Sequence, residues 1–344
     1  MSKSATSGKR PTLKDVAAVA KVDPSLVSRV VNDDRRVAIP EQTRARVLAA
    51  IEQVGYRKNL VAHGLRTGRT SLIGYVVPDL SNPSYWPIID GARERAREFG
   101  YTILVASQPD EPGSATAYRR LLDEGRVDGL LLASAIIGDE GTAAMFESGG
   151  GPVVVVNRRV PGAAAAVIPD DEAASRLAAS HLAELGHRRC AIVTGPPQLE
   201  TTVRRREAFD EALKEAGLPP ALAVAAPGWT AADGRAVAPA VLEAGVTAVF
   251  ATAGQVHVGL MTAAAAAGVA IPGRLSVIAL NDTPMNEFTT PPTTAIRMPL
   301  SRLGAAAVDL LLARLRGESE DVPEVVGDPP PELVLRESTT QSFD

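Results

Sequence analysis

The chain has 344 residues, enough for two or three domains, and 45% of them are hydrophobic, which permits sizeable cores. Its single cysteine, Cys190, its four scattered histidines and the lack of any 18-residue apolar run argue against a disulfide framework, a metal site and a membrane span. The net charge of −4 hides an asymmetry, because the first 70 residues hold 14 Lys and Arg against 6 Asp and Glu, whereas the remainder holds 22 against 34.

A basic head on an acidic body is typical of a nucleic-acid-binding module joined to a domain with another task. The first ten residues, MSKSATSGKR, are small, polar and basic, and we expect residues 1–10 to form a disordered tail. They contain no apolar signal core, so the sequence predicts a cytoplasmic protein.

Two short helices joined by a tight turn are predicted between Thr12 and Asn32. Apolar residues recur at spacings of three and four from Leu13 to Ala20, which gives the first helix an inward face. Asp23 is suited to cap the second helix, and Pro24 to occupy its first position.

The second helix has one apolar and one polar face. Its inward residues are predicted to be Leu26, Val27, Val30 and Val31. Its outward residues are predicted to be Ser25, Ser28, Arg29 and Asn32. Hydroxyl, amide and guanidinium groups on a short capped helix are suited to read base edges in the major groove, and an ordinary surface hairpin is the alternative.

A third helical pattern, PEQTRARVLAAIEQVGY, completes a helical head over residues 11–58. Four apolar side chains would close its core, namely Val47, Leu48, Ile51 and Val54. Residues 59–70 follow as a hinge, in which Val61, Ala62 and Leu65 share one face of a short helix. Gly64 and Gly68 weaken that helix, so we expect the hinge to be disordered alone and helical on DNA, although a plain linker is the alternative.

The order of TLKDVA, VSRVVN and RVLAAIEQVGYRKN, followed by a segment with a leucine before a basic spacer, resembles the LacI/GalR family of bacterial repressors. The resemblance covers nearly the whole chain after Pro11. It implies a helix-turn-helix head, and paired hinge helices that enter the minor groove with Leu65 as the wedge between base pairs. The implied DNA-binding residues are Thr12, Leu13, Pro24, Ser25, Ser28, Arg29, Asn32, Tyr56, Asn59, Ala62 and Leu65.

Two positions in the head depart from the family pattern. Lys21 stands at the usual turn glycine, and Asp23 stands at the usual serine cap. Asp23 should repel nearby phosphates, so a phosphate contact made by serine in relatives is expected to be lost.

From Leu72 to the C-terminus, apolar runs such as LIGYVV and PVVVVN alternate with helical patterns, in two successive series. This alternation predicts an α/β body over 71–344, with two doubly wound parallel-sheet lobes covered by helices on both faces. Ligands of such sheets bind beyond the carboxyl ends of the strands.

The resemblance implies lobes of the periplasmic-binding-protein type with three crossovers, which we place near 168–170, 291–294 and 323–327. Lobe 1 would then comprise residues 71–168 and 294–325, and lobe 2 residues 169–293 and 326–344. No leucine heptad follows the last strand, so a homodimer is the simplest assembly.

The resemblance also places an effector pocket between the lobes. The implied effector-binding residues are Tyr85, Asn157, Arg158, Thr201, Arg205, Trp229 and Asn281. Tyr85 can stack on a sugar or a base, or can serve lobe packing. Arg205 offers a guanidinium to hydroxyls or a carboxylate, with a solvated basic helix start as the alternative. Arg204 and Arg206 are expected to be solvent-facing or paired.

Several pocket positions depart from the family pattern. Asn157 stands where an aspartate is more frequent, Ala253 and Gly254 replace an Asn-Asp pair, and Asn281 replaces a ligand-binding aspartate. Asp170 matches a commonly acidic crossover position or caps the following helix. A sugar remains the effector that the resemblance implies, and a less hydroxylated or anionic effector, or none, stays open.

The sequence thus predicts a DNA-binding transcription regulator, usually a repressor in this family, that binds a pseudo-palindromic operator and a small effector. Three alternatives stay open: a periplasmic-type sugar-binding protein, an enzyme with a DNA-binding head, and a regulator that answers to a protein partner or to no ligand. We found no phosphate loop, nucleophile elbow or metal-ligand spacing, and we expect no enzymatic activity and no cofactor.

Overall fold

The chain forms two compact units in the computed structural model, residues 1–70 and residues 71–344. The structure describes residues 11–31, 38–56, 68–108, 114–134, 151–160, 163, 165–318 and 324–342. The predicted tail, most of the predicted hinge and four predicted DNA-binding residues lie outside the described residues. Those four are Asn32, Asn59, Ala62 and Leu65. No helix within the described ranges is long and apolar enough to cross a membrane.

The first unit contains three helices, α1 (Leu13–Ala20), α2 (Pro24–Val31) and α3 (Glu41–Val54). Their buried apolar residues form one small core, comprising Val16, Ala17, Ala20, Val27, Val30, Val47 and Ala50. The prediction that Leu48 lies in this core is wrong, because its side chain is 49% exposed. Val47, Ala50 and Ile51 follow the helical spacing of three and four, whereas Leu48 is turned about 100° from Val47.

The second unit contains two lobes, each built on a six-stranded sheet. The strands of the first lobe are β1 (Leu72–Val77), β2 (Thr102–Ser107), β3 (Gly129–Leu132), β4 (Val153–Val156), β5 (Ala166–Pro169) and β11 (Glu324–Val326). Their order is β11-β5-β4-β3-β1-β2, and every neighbouring pair is parallel. The described helices of this lobe are α4 (Tyr85–Glu98), α5 (Ser114–Asp123) and α10 (Leu300–Arg316).

The second lobe repeats this plan. Its strands are β6 (Cys190–Thr194), β7 (Leu222–Ala225), β8 (Ala248–Ala251), β9 (Ser276–Leu280), β10 (Thr294–Arg297) and β12 (Glu332–Val334). They are ordered β12-β10-β9-β8-β6-β7, and all pairs are parallel except β10 with β12. Its helices are α6 (Asp171–Glu184), α7 (Glu200–Glu215), α8 (Ala231–Glu243) and α9 (Val256–Ala266). A short 3₁₀ turn spans Pro284–Glu287.

The sheets assign three crossovers between the lobes, after β5, after β10 and after β11. The second crossover was predicted too early, near 291–294. Thr294–Arg297 pairs with β9 in the second sheet, so the chain changes lobe only between Arg297 and Leu300. Hydrophobicity alone does not reveal this boundary, because the short strand TAIR carries no signal of the sheet to which it belongs.

Two of the four edge strands, β2 and β7, depart from the predicted burial of the strands. Leu104 of β2 is 48% exposed and Leu222 of β7 is 38% exposed, because each strand is the last in its sheet. The central strands β3, β4, β8 and β9 are buried along their whole length. Close helix packing also supports the first lobe, since an added Cβ on Gly91 or Gly304 would collide with the backbone of the opposite helix, α10 or α4.

Candidate functional site

A narrow cavity lies between the two lobes, at the ends of their central strands. Asn157 follows β4, while Thr252 and Asn281 follow β8 and β9. The free space in the cavity is about 30 Å³, room for about two water molecules. A ligand of the size of a sugar would therefore require the lobes to separate.

All seven residues predicted to bind an effector line this one cavity, although their role in binding stays a prediction. Tyr85, Asn157 and Arg158 come from the first lobe, and Thr201, Arg205, Trp229 and Asn281 come from the second. Residues that the prediction missed also line it, among them Asn82, Ser84, Asp171, Thr252, Met298 and Leu300. Polar and apolar side chains thus line one small space between the lobes.

The start of α7 brings two of the predicted residues to the cavity. Thr201 and Arg205 are four positions apart, which places them on one face of the helix. Arg205 is only 8% exposed. Its Nε donates to Asp171 Oδ1 at 3.0 Å and its Nη1 donates to the carbonyl oxygen of Thr252 at 2.9 Å. Its Nη2 has no partner among the described residues, so this amino group can donate to a ligand.

Asp171, the first residue of α6, is the carboxylate at the centre of this cluster. Its side chain is fully buried, and Arg204 Nη2 donates to its Oδ2 at 2.6 Å while Arg205 holds its Oδ1. Burial alone would raise the pKa of Asp171, but the charges of Arg205 and Arg204 and their hydrogen bonds hold it below the ordinary value. The carboxylate is therefore ionised, and it offsets the charge of the arginine that faces the cavity.

Arg204 is directed to the seam between the lobes and not to solvent. Its Nη1 donates to both carboxylate oxygens of Glu200, at 2.6 and 2.8 Å, and its Nη2 also reaches the carbonyl oxygen of Asn157 in the first lobe at 3.4 Å. Glu200 Oε2 accepts from the backbone N–H of Arg159, again in the first lobe, at 3.1 Å. Both Arg204 and Arg206 were expected to be either solvent-facing or paired. Arg204 is paired and Arg206 is exposed.

Asn281 joins the lobes on the other side of the cavity. Its Nδ2 donates to Ser84 Oγ of the first lobe at 3.0 Å. The acid that follows it, Asp282, does not replace the aspartate expected at 281, because it forms ion pairs with Arg297 at 2.7 Å and Arg336 at 2.8 Å. Among the described residues that line the cavity, Asp171 is consequently the only carboxylate.

Trp229 covers the part of the second lobe where the Asn-Asp pair is missing. An added Cβ on Gly195 would lie 2.5 Å from the Trp229 ring, and one on Gly254 would lie 2.5 Å from the Trp229 carbonyl oxygen. Ala253 is buried in the core of the lobe. The substitutions at 253 and 254 therefore remove polar groups and let the tryptophan pack closely against the backbone.

Asp170, which the sequence left between a pocket role and a capping role, caps α6. Its Oδ1 accepts from the backbone N–H of Ala173 at 2.9 Å. The adjacent Asp171 holds the buried position instead. Two consecutive acids at a helix start do not indicate from the sequence that one caps the helix while the other is buried.

In the helical head, the predicted DNA-reading residues Pro24, Ser25 and Arg29 are exposed on α2. Ser28, Leu13 and Tyr56 are half-buried and Thr12 is exposed. The hydroxyl and backbone N–H of Thr12 both donate to Asp15 Oδ2, at 2.8 and 2.7 Å, which organises the start of α1. The structure thus leaves the side chains of Ser25 and Arg29 exposed on α2.

Asp23 stands beside Ser25 as a charged group. Its Oδ1 accepts from the backbone N–H of Ser25 at 2.8 Å, as expected of a cap. Hydrogen bonds from the side chain and backbone of Ser25 hold the pKa of Asp23 below its ordinary value. Lys21 adopts the left-handed conformation with φ of +50° that a glycine would favour in this turn.

Comparison with known proteins gives the same picture for both units. Residues 12–59 match the model of the lacI family of bacterial regulatory proteins, and residues 179–339 match that of a periplasmic binding protein-like domain. An uncharacterized HTH-type transcriptional regulator from the aml 5′ region of Streptomyces limosus is 34% identical, over 96% of this chain and 95% of that protein. The HTH-type transcriptional repressor PurR of Haemophilus influenzae is 31% identical, over 95% and 98%.

Solved structures with the same fold include complexes with DNA and with sugars. The lac repressor dimer bound to operator and the anti-inducer ONPF is 28% identical, covers 96% of this chain and all of that chain, and has a TM-score of 0.81. The complex of the transcriptional regulator CelR with cellobiose is 30% identical with the same coverage and a TM-score of 0.69.

Proposed function

The chain is a member of the lacI family of bacterial regulatory proteins and a DNA-binding transcriptional regulator, and we propose that it is a repressor that binds a pseudo-palindromic operator as a homodimer and responds to a small effector. The observation that carries the proposal is the pairing of two features in one chain. One is a three-helix head with Pro24, Ser25 and Arg29 exposed on its second helix. The other is an interlobe cavity lined by polar groups from both lobes.

The effector that we propose is a sugar or a related polar molecule. Arg205, Asn157, Thr201 and Asn281 supply hydrogen-bond donors and acceptors, and Trp229 and Tyr85 supply aromatic rings, the combination that binds hydroxyl groups on an apolar ring face. The relative CelR has been solved with cellobiose, which supports this class. An effector changes DNA affinity only if it binds the two conformations of the lobes unequally.

The homodimer is supported by apolar side chains that the second unit leaves exposed. Leu104 is 48% exposed and Val105 39% on β2, and Phe288 is 81% exposed after the 3₁₀ turn of the second lobe. Large exposed apolar groups on both lobes are suited to an interface with a second copy. A dimer would also present two heads to the two halves of an operator.

The proposal is tested by two measurements on the full chain. Selection from a random duplex pool should yield a pseudo-palindrome, and a thermal-shift screen of sugars, nucleosides and small acids should yield a ligand that weakens or strengthens binding to it. An enriched sequence without two-fold symmetry would contradict the dimeric operator complex. If no ligand class changes the unfolding temperature or the DNA affinity, the proposal of a small effector is wrong. A regulator that responds to a protein partner or to no ligand then replaces it.

A further inference from the structure

Two consecutive residues of α7 point to different parts of the second unit. Arg205 lines the interlobe cavity, whereas Arg204 contacts Asn157 and Glu200 at the seam between the lobes. Successive residues on a helix are about 100° apart, which explains why their guanidinium groups separate. Both nevertheless return to the same carboxylate, because Asp171 Oδ1 accepts from Arg205 and Asp171 Oδ2 accepts from Arg204.

We propose that Asp171 is a positioning residue that couples the cavity to the lobe seam, so that a change at Arg205 is transmitted through Asp171 to Arg204 and on to the first lobe. The inference deepens the proposed function and rests on it only in assuming that the cavity is where an effector binds. The buried carboxylate supplies the physical link. A ligand that draws hydrogen bonds from Arg205 alters the acceptor that Arg204 shares.

The contacts at the far end of this link are specific. Arg204 fixes Glu200 with two hydrogen bonds, and Glu200 Oε2 accepts from the backbone N–H of Arg159 in the first lobe. Arg204 also reaches the carbonyl oxygen of Asn157 directly. The side chains of Asp171, Arg204 and Arg205 are buried or nearly so, and hydrogen bonds between charged groups strengthen where water is excluded. Glu200 is 17% exposed and Arg159, at the end of the link, is exposed. A movement of Arg204 therefore acts on Glu200 and on the carbonyl oxygen of Asn157, the two contacts that lead to the first lobe.

The seam can be monitored without any effector or DNA, by hydrogen exchange of the full-length protein. The decisive variant is Arg205→Lys, which keeps the positive charge and loses the Nε–H that donates to Asp171. Arg205 donates to Asp171 and to Thr252, which both belong to the second lobe. If the coupling exists, the amides of Asn157–Arg159 in the first lobe should nevertheless exchange faster, by about tenfold or more. Arg206→Lys is the matched control, because Arg206 is exposed on the same helix.

Unchanged exchange at Asn157–Arg159 in Arg205→Lys, with faster exchange only in the second lobe, would overturn the coupling. Asp171→Asn should open the same seam, and Arg204→Lys serves in its place if that variant does not fold. Arg204 reaches Glu200 with Nη1 and Asp171 with Nη2, whereas lysine has all its donors on one nitrogen and cannot reproduce both positions. Arg204→Lys with an unperturbed seam would therefore also overturn the coupling. The outcome is independent of the proposed function, since exchange in the free protein involves neither operator nor effector.

Discussion

Asn157 and Asn281 adopt the same left-handed backbone conformation, with φ of +72° and +71°, directly after the corresponding strands β4 and β9 of the two lobes. Asparagine tolerates this conformation better than most residues. Each lobe therefore presents an amide at the equivalent strand end, facing the same cavity. An asparagine at these two positions tolerates the left-handed backbone conformation and also offers an amide group to the cavity.

Two variants of Asn281 distinguish the effect of its backbone conformation on stability from the effect of its side-chain hydrogen bond. Both Asn281→Ala and Asn281→Gly lose the bond to Ser84, but only alanine meets the strain of the left-handed conformation. We expect Asn281→Ala to be less stable than Asn281→Gly by about 1 kcal/mol. Urea unfolding of both variants measures the difference, and equal stabilities would show that the backbone conformation is not maintained in solution.

Gly195 is expected to control the position of Trp229. In Gly195→Ala the new Cβ would meet the indole ring, and such overpacking costs about 1–3 kcal/mol. The fluorescence of Trp229 should shift as the ring moves. Gly273→Ala is a suitable control, because its Cβ would make only an ordinary contact, 3.5 Å from Ala270. A Gly195→Ala protein with unaltered fluorescence and stability would rule out this packing.

Stability should fall on acidification because of His257. Burial lowers the pKa of its imidazole to about 4, although a backbone hydrogen bond to Gly254 acts in the opposite direction. In the unfolded chain this imidazole binds a proton below about pH 6.5, whereas in the folded chain it binds one only below about pH 4. Unfolding is therefore favoured as the pH falls through this window. The loss attributable to His257 is about 2 kcal/mol between pH 7 and pH 5.

The contribution of His257 can be isolated with His257→Met. Burial also lowers the pKa of His181, so the whole protein has a steeper pH dependence than His257 alone produces. Urea unfolding at both pH values should give a smaller difference for His257→Met than for the unmodified chain. The same slope in both proteins would place the imidazole in contact with water.

Lys21→Gly should stabilise the head by about 1 kcal/mol, because the left-handed conformation costs that much for a residue with a Cβ. Lys14→Gly removes the same side chain from a regular position of α1 and should destabilise by a similar amount. Hydrogen exchange of the α1 amides in the full chain reports both effects. The two substitutions should change the stability of the head in opposite directions. If both change it in the same direction, the loss of the lysine charge and not the backbone conformation is the cause.

Arg29→Ala should weaken binding to a selected operator by about 1–3 kcal/mol while affecting random DNA much less, the behaviour of a contact to a base edge. Arg46→Ala removes an equal charge from α3 and should change both affinities alike. Fluorescence anisotropy at several salt concentrations distinguishes the two. A uniform loss in Arg29→Ala would assign Arg29 to the phosphate backbone.

The architecture was predictable where local pattern and long-range order coincide. The run LIGYVV coincides with β1, and Asp23, Pro24 and the apolar spacing of α1 are sufficient to predict the head from the sequence. The prediction that Leu48 is buried is wrong because it was based on the residue's hydrophobicity. Leu48 is next to the buried Val47 in the sequence, but it lies on a different face of the helix. The prediction that the strands are buried is wrong at Leu104 and Leu222. Whether a strand lies at the edge of a sheet depends on topology, which hydrophobicity does not encode.

In the candidate site, the side chains that were found follow strands or begin a helix, positions that topology brings together in any doubly wound lobe. Asp171 was missed because it follows another acid at a helix start, where carboxylates are favoured for reasons unrelated to ligands. Its burial depends on how α6 packs against α7 and on two arginines 33 and 34 positions away along the chain. Such a contact is not visible from spacing in one sequence.

The triple crossover between the lobes has a consequence for proteolysis. A cut after β5 would leave α10 and β11 of the first lobe attached to the whole of the second lobe, since both follow it along the chain. The two fragments would then remain associated through the pairing of β11 with β5 and the packing of α10 on α4. A nicked protein would thus migrate as two bands on a denaturing gel and as one species on a native gel.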